Sequence, residues 1–414
     1  MQLIFYLSLF LVIYCYFGYP LVIYLFSIGF KKKVDKSPIE PTISIIISVY
    51  NEEDCIENKI RNLLSLDYPA SKLEIIIGSD GSTDKTNEII HQFSSPIFSF
   101  YPYEQRRGKM STINDLVAKS KYEILVFTDA RQSFDRNTIR ELVANFHDLS
   151  IGCVSGELHF NLMKESGTAK GINIYWQYEK FLRKCESQIH SMMGATGAIY
   201  AIRRELFTVI PPDIILDDMF VPLKIIEKGF RVIIDADANA YDIAADNPQE
   251  EYRRKVRTLY GNYQIFHHFF GLFNPLTSPI AIQLFSHKFL RIILPFILIL
   301  LLPVNVLLFK TSLVYQIFMT IQICFYLLAG LGVWTKNSNH GFLKSISNIS
   351  YVPYVFCLLN FSALVSLLRF IKRKQSVTWE KAREREPETY LQLTDGTSEI
   401  GSHRFIDQET SDVL

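Results

Sequence analysis

"YEILVFTDARQSFD", residues 122–135, decides the fold class. Ile124–Phe127 are four apolar residues in a row, and Thr128-Asp129 stops them. A short uninterrupted apolar run is the pattern of a strand buried on both faces of a parallel sheet. Open α/β sheets hold ligands at the carboxyl ends of such strands. Asp129 is therefore a candidate site residue, and Arg131 sets a cation two positions beyond it.

The same pattern repeats outward from this strand. Ile43–Val49 and Leu73–Gly78 read as strands. Ile56–Leu66 reads as a helix, with apolar residues at Ile56, Ile60, Leu63 and Leu64. Further helices are predicted from Asp84 to Phe93, over Lys109–Ala118 and over Asn137–Phe146, with the strand at Glu123–Phe127 between the last two. Strands alternating with amphipathic helices predict an α/β domain on a doubly wound, mainly parallel sheet. The polar residues just after each strand are then the ones to read. "SVYNEED" (48–54) ends the first, "GSDGSTDKT" (78–86) the second and "TDAR" (128–131) the third. Gly81 suits a tight turn, and Ser82 or Thr83 can cap the next helix, which leaves Asp80 facing the crevice. Any one of these ends could be an ordinary cap or turn. Three acidic ends in one half of a sheet point to a site.

Outside this domain the composition changes. The chain has 414 residues, 49% hydrophobic, with a formal net charge of +1, which gives no reason to propose a nucleic-acid partner. Leu3–Phe30, Phe289–Phe309, Leu313–Trp334 and Tyr351–Ile371 are apolar runs of the length a bilayer requires, roughly 20 residues. The first is longer than a signal-peptide core and lacks a basic start and a small-residue cleavage site. Lys31-Lys32-Lys33 follows it, so the positive-inside rule puts the following domain in the cytosol. The expected organisation is a membrane helix with its basic flank (1–36), a catalytic domain ending in interfacial helices (37–275), a second membrane region (276–374) and a polar tail (375–414). Basic residues flank the last apolar run on both sides, Lys336 and Lys344 before it and Arg369, Lys372, Arg373 and Lys374 after it. Either that segment is re-entrant, or one of the four runs is not a simple crossing. The six cysteines have no metal-ligand spacing and fit a reducing compartment.

Six stretches in order, "SVYNEE", "SDGSTDKT", "RRGKMSTIN", "VFTDA", "GATGAIYAIRREL" and "LDDMFVPLKIIEKGFRV", resemble the motifs of inverting glycosyltransferases of family 2. The likeness is to the membrane-embedded branch with the cellulose, hyaluronan and poly-N-acetylglucosamine synthases. It implies a GT-A (Rossmann-like) α/β fold in a cytosolic domain set between membrane helices. It also implies a nucleotide-diphosphate sugar donor, Mg²⁺ or Mn²⁺, and a place in a bacterial inner membrane. By the same resemblance Tyr50 and Glu52 line the nucleobase pocket, and Asp80 contacts the base. Lys109 lies near the diphosphate, Asp129 is the first residue of a metal-binding Asp-x-Asp, and Asp218 is the general base, with Asp217 in place of the usual Glu. "RRKVR" (253–257) falls where processive members carry Gln-x-x-Arg-Trp. Arg253 stands for Gln, Arg257 matches the Arg, and Thr258 stands for Trp; Arg254 and Arg257 are the candidate donor contacts.

The chemistry supports these assignments. A base must lie within hydrogen-bond reach of the attacking hydroxyl, and the start of a helix keeps a carboxylate ionised. Metal ions and Arg or Lys clamps both stabilise a leaving diphosphate. Asp129-Ala130-Arg131 therefore has two readings. Asp129 binds the ion with water and phosphate oxygens completing its shell, or Arg131 supplies part of the ion's charge. Arg253 and Arg257 share a helical face, Lys255 another, and the aromatic residues among them suit an interfacial helix. His267, His268 and His287 are expected at the membrane boundary rather than on a metal. The expected activity is sugar transfer to a lipid-linked or growing glycan acceptor, with membrane lipids as further partners. Loss of the Trp at Thr258 inclines the acceptor towards a non-processive, polyprenyl-phosphate type. An inactive membrane binding or transport protein would be expected to lack Asp80, Asp129 or Asp218.

Overall fold

The computed structural model describes residues 1–161, 167–243, 248–335 and 341–372. The polar tail expected over 375–414 lies outside these residues, as do Lys336, Arg373 and Lys374. The chain opens with helices α1 (Gln2–Ile13) and α2 (Tyr19–Gly29), joined through a π-turn at Tyr14–Gly18. Strand β1 (Ile43–Val49), helix α3 (Ile56–Leu64), β2 (Leu73–Asp80), α4 (Thr86–His91), β3 (Phe98–Tyr103), α5 (Lys109–Lys119) and β4 (Ile124–Phe127) follow. Then come β5 (Ser133–Phe134), α6 (Thr138–Ala144), β6 (Ile151–Asn161), α7 (Gly167–Ile189), β7 (Tyr200–Arg203), α8 (Asp217–Glu227), β8 (Arg231–Ile243) and α9 (Pro248–His268).

All eight strands form one sheet in the order β3-β2-β1-β4-β7-β6-β8-β5. The half carrying the three acidic ends is parallel, as the sequence predicts, and β3 is an additional edge strand. The other half is mixed. Strand β7 runs antiparallel to both β4 and β6, and β5 antiparallel to β8, while β6 and β8 are parallel. The sheet is thus mixed, with parallel pairings still the more numerous: after α7 the chain returns between β4 and β6, and β7 runs against both. The isoleucines of β1, three of them consecutive at Ile45–Ile47, follow from burial on both faces. Ile43, Ile45 and Ile47 enter the core under α3, and Ile46 enters the core under α5 and α8. Each such side chain stabilises the fold by about 1.5–3 kcal/mol.

Beyond α9 come α10 (Ala281–Gln283), a π-turn at Leu284–Phe289, α11 (Leu290–Leu308), α12 (Leu313–Thr335) and α13 (Gly341–Ile371). Four segments are long and apolar enough to cross a membrane: Gln2–Gly29, Ala281–Leu308, Leu313–Val333 and Ile349–Ile371. The first two pack antiparallel. Phe5 meets Leu301 and Leu308, whereas Cys15 meets Leu290 and Leu294. The fourth is one continuous helix, without the reversal a re-entrant segment needs. Its last turns lie along α9, where Phe361 stacks on Tyr252, Phe370 packs on Tyr260 and Tyr263, and the Tyr263 hydroxyl donates to the Ala363 carbonyl at 3.4 Å. The positive flank after Ile371 therefore begins beside the catalytic domain.

Candidate active site

The tips of β1 and β2 are laced together. Asn51 has φ 53°, a left-handed conformation that Asn tolerates. Its Oδ1 accepts the Thr83 N–H at 2.8 Å, and its own N–H donates to Ser82 Oγ at 3.1 Å. The Glu52 N–H donates to Thr86 Oγ1 at 2.8 Å, and Glu53 Oε2 accepts the Lys85 N–H at 3.0 Å. Ahead of helix α4, Asp84 Oδ1 accepts the Thr86 N–H at 3.0 Å, whereas Ser82 and Thr83 turn to Asn51. Gly81 has φ +71°, and a Cβ there would stand 2.7 Å from the Arg106 nitrogen. Only glycine lets the Arg106–Gly108 loop close over this turn.

That loop changes the reading of Asp80. The side chain does not face an open crevice; it is buried, and its two oxygens accept the N–H groups of Arg107 and Gly108 at 2.8 Å each. Asp80 thereby fixes the entry to α5, whose first residue is Lys109. The Tyr50 ring is covered by the Arg106 guanidinium, 3.7 Å from the ring centre. A flat group stacks there, as a nucleobase would.

Lys109 joins the two halves of the site. Its Nζ lies 2.9 Å from Asp129 Oδ1 and 3.4 Å from Asp217 Oδ2. Burial alone would lower its pKa, but Asp129 and Asp217 outweigh that, so the ammonium is held above its usual range. Burial likewise opposes ionisation of Asp129, and Lys109, Arg131 and Lys59 together pull its carboxyl below the usual value. Asp218 has the opposite shift. Burial and neighbouring Asp217 push it up to about 6, against the pull of Lys109 and Arg183. A carboxylate poised near neutrality suits a general base. Arg257 is partly buried in the field of Asp217, Asp129 and Asp218, whereas Arg253 and Arg254 are exposed on the same helix. Glu52 acts on Arg131 from the β1 tip, with Asp242 and Asp129 nearby.

The sequence did not assign a role to three further elements. Lys59, on α3, is buried behind the Asp129 turn and donates to Thr128 Oγ1 at 2.9 Å and to the Gln132 carbonyl at 2.7 Å. The loop "GATG" wraps Asp218. The Ala195 N–H donates to the Asp218 carbonyl at 2.6 Å, and a Cβ on Gly197 would stand 3.3 Å from Asp218 Oδ2. Tyr200, fully buried on β7, carries its phenol next to Asp217 and Asp218. The paired glycines of "GATGA" were the available signal, since glycine in a strand approach marks a close neighbour. His267 and His268 are exposed, whereas His287 faces the protein interior. It is buried, with Nδ1 2.7 Å from Glu186 Oε1 and Nε2 3.1 Å from Glu179 Oε2.

The donor set around Asp129 suits an ion that takes one protein carboxylate. Among the described residues, the group of three carboxylates close enough to share an ion is Glu141, Asp235 and Asp237, which Lys36 bridges on the far side of β8. At Asp129 a single ionised carboxylate remains partly exposed beside the expected diphosphate position. Mg²⁺ is commonly held by one or two carboxylates with waters and phosphate oxygens, so the residues present fit such an ion.

Residues 44–210 match the family described as glycosyl transferase family 2. The chain is 26% identical over 275 residues to the poly-β-1,6-N-acetyl-D-glucosamine synthase of Staphylococcus aureus (strain MSSA476), covering 63% of this chain and 64% of that one. It is 25% identical over 236 residues to the Staphylococcus epidermidis enzyme of the same name, covering 54% and 55%. The chain thus spans somewhat under two thirds of the length of the curated relatives it matches. Among solved structures, a mannosyltransferase from Pyrobaculum calidifontis, PcManGT, in complex with GDP-Man and Mn²⁺, superposes with a TM-score of 0.68. The superposition covers 90% of this chain and 100% of that one at 20% identity, and it shows the shared GT-A fold.

Proposed function

We propose, for a chain that carries a glycosyl transferase family 2 domain, the inverting transfer of a sugar from a nucleotide-diphosphate donor to a lipid-linked or growing glycan acceptor. The observation that carries this reading is the placement of Asp218. It is half-buried at the start of α8 beside Lys109 and Arg257, bordered by the Gly194–Gly197 loop and poised to titrate at about 6. In this mechanism Tyr50 and the loop held by Asp80 receive the nucleoside, while Lys109 and Arg257 receive the diphosphate. The acceptor hydroxyl forms a bond to the anomeric carbon as the bond to the diphosphate oxygen breaks. The hydroxyl proton passes to Asp218, and the electron pair leaves on the diphosphate. Asp129 would hold Mg²⁺ or Mn²⁺, which when bound supplies charge neutralisation for the departing nucleotide. Asp217 keeps Lys109 oriented and raises the basicity of Asp218 by like-charge repulsion. The catalytic domain faces the cytosol of a bacterial cell, following Lys31–Lys33, which lie where α2 leaves the apolar layer. The N-terminal flank is tied to the domain, since the Lys32 N–H donates to the Gln188 carbonyl at 2.8 Å.

The test is Asp218→Asn in the detergent-solubilised full chain. It removes the base while keeping shape, and general-base loss typically costs about 10²–10⁴ in rate. Transfer and donor hydrolysis should fall by at least that range while nucleoside diphosphate still binds. Turnover equal to the unsubstituted protein would sink the assignment.

A further inference from the structure

We infer that the cavity below Asp218 is an acceptor site for a phosphate carried on a membrane lipid, with Lys288, Arg183 and Lys255 as its anion-binding side chains. This rests on the reading of Asp218 as the base, because the same cavity reaches both. It measures about 150 Å³, and its wall runs from Asp218 through Thr258 on α9 to Lys288 and Arg291 at the start of α11.

The wall's chemistry is unusual for a sugar subsite. Four cations line it, Arg183, Lys255, Lys288 and Arg291, against the carboxylates of Glu186 and Asp218. Glu179, buried just behind, takes up Arg291 and receives His287, while Lys288 lies at the outer limit of an ion pair, 4.0 Å away. Two guanidinium and two ammonium groups converging on a partly enclosed space match phosphate oxygens, which Arg meets as a fork and Lys as a point charge. No Phe, Tyr or Trp is among the described residues lining this space. Thr258 occupies the wall position where a Trp could have carried a sugar face. Stacking on an aromatic ring is thus absent where charge recognition is present.

The location supplies the lipid. Lys288 and Arg291 belong to the segment Ala281–Leu308, which is long and apolar enough to cross a membrane. The π-turn at Leu284–Phe289 widens that helix and sets His287 and Lys288 toward α7 and α9. Such turns recur at functional positions because the extra residue re-aims side chains. A phosphate in this cavity would have its hydrocarbon beside α11, and a sugar carried on it would present its hydroxyl to Asp218. Lys255, on another face of α9 from Arg257, shares this wall with Thr258.

The test is binding of farnesyl phosphate to the full chain in neutral detergent, without donor, so that its outcome does not depend on transfer. Farnesyl phosphate should bind at least tenfold more tightly than farnesol, than inorganic phosphate and than phosphatidylglycerol in the same micelles. Lys288→Gln and Arg183→Gln should each weaken it at least tenfold, and Lys288→Arg should restore it. Asp218→Asn removes a carboxylate from the wall and should bind it at least as tightly, which separates this site from the assignment of the base. Equal binding of farnesol, or no loss in either Gln variant, overturns the inference. Equal binding of phosphatidylglycerol would make the cavity a bulk-lipid site, and equal binding of inorganic phosphate a free-anion site; each also overturns it. Thermal unfolding of every variant with nucleoside diphosphate present checks that the fold survives. If Lys288→Gln does not fold, the Arg183→Gln and Lys288→Arg arms decide.

Discussion

The proposed donor half and the proposed acceptor half of the site are built from different materials. Around β1 and β2 the polar groups are short side chains and backbone amides satisfying one another, as in Asn51 with Thr83 and Asp80 with Arg107 and Gly108. Around α7, α9 and the π-turn they are long cations and buried glutamates drawn from segments more than a hundred residues apart, such as Glu179 with Arg291. The first arrangement is local and pre-organised, and so it can present one fixed pocket to a nucleotide. The second depends on the catalytic domain docking onto the apolar helices. In the proposed function the donor comes from solution and the acceptor from the membrane, and the two constructions match that division.

The largest effect that would sharpen this contrast lies in the donor half. Asp80→Ala removes two charge-assisted bonds to backbone amides, each worth about 1.5–3 kcal/mol, and leaves two N–H groups without an acceptor. The loop carrying Lys109 then loosens. Nucleoside diphosphate binding should weaken by about thirtyfold or more, as calorimetry would show, with farnesyl phosphate binding unchanged. If both ligands weakened equally, the two halves would be one cooperative unit and the contrast would fail.

Arg257 sits at the border and should give a smaller effect. The guanidinium is within the field of Asp217, Asp129 and Asp218. Arg257→Lys keeps the charge and loses the fork. Transfer should fall at least tenfold, a loss of about 1.4 kcal/mol in transition-state stabilisation. Activity in neutral detergent measures this without anionic lipid, and a silent substitution would assign Arg257 to the membrane surface.

The same division governs what the sequence could reveal. Strands β1, β2 and β4 were legible because burial on both faces leaves consecutive apolar residues at their centres, Ile45–Ile47, Ile75–Ile77 and Ile124–Phe127. The acidic tips were legible because they follow those runs directly. Strand β3, "FSFYPY", was not, since it lies at the sheet edge with half-exposed residues and a proline. The antiparallel β7 was hidden because four residues carry no directional signal. His287 reads as an interfacial residue in any one-dimensional view, because Glu179 and Glu186 are over a hundred positions away. Asp80 lies at the end of β2 as read, but its partners are backbone amides, which no side-chain pattern announces.

The smallest expected effect couples the halves through Asp218. Its carboxyl titrates at about 6 because burial and Asp217 raise it, while Lys109 and Arg183 hold it down. Only the ionised form accepts the hydroxyl proton, so donor hydrolysis at low substrate should fall about tenfold per pH unit below that value and level off above it. Arg183 belongs to the acceptor wall, yet its charge acts on the base. Arg183→Gln removes a cation that favours the carboxylate, so the acid limb should move upward, by less than about one unit for a single partly screened charge. Water serves as the nucleophile in this assay, so acceptor affinity does not enter. A limb that stays in place would show that the acceptor wall is electrostatically insulated from the base. A limb that moves downward would contradict the sign required of any cation near Asp218, and would put the titrating group elsewhere.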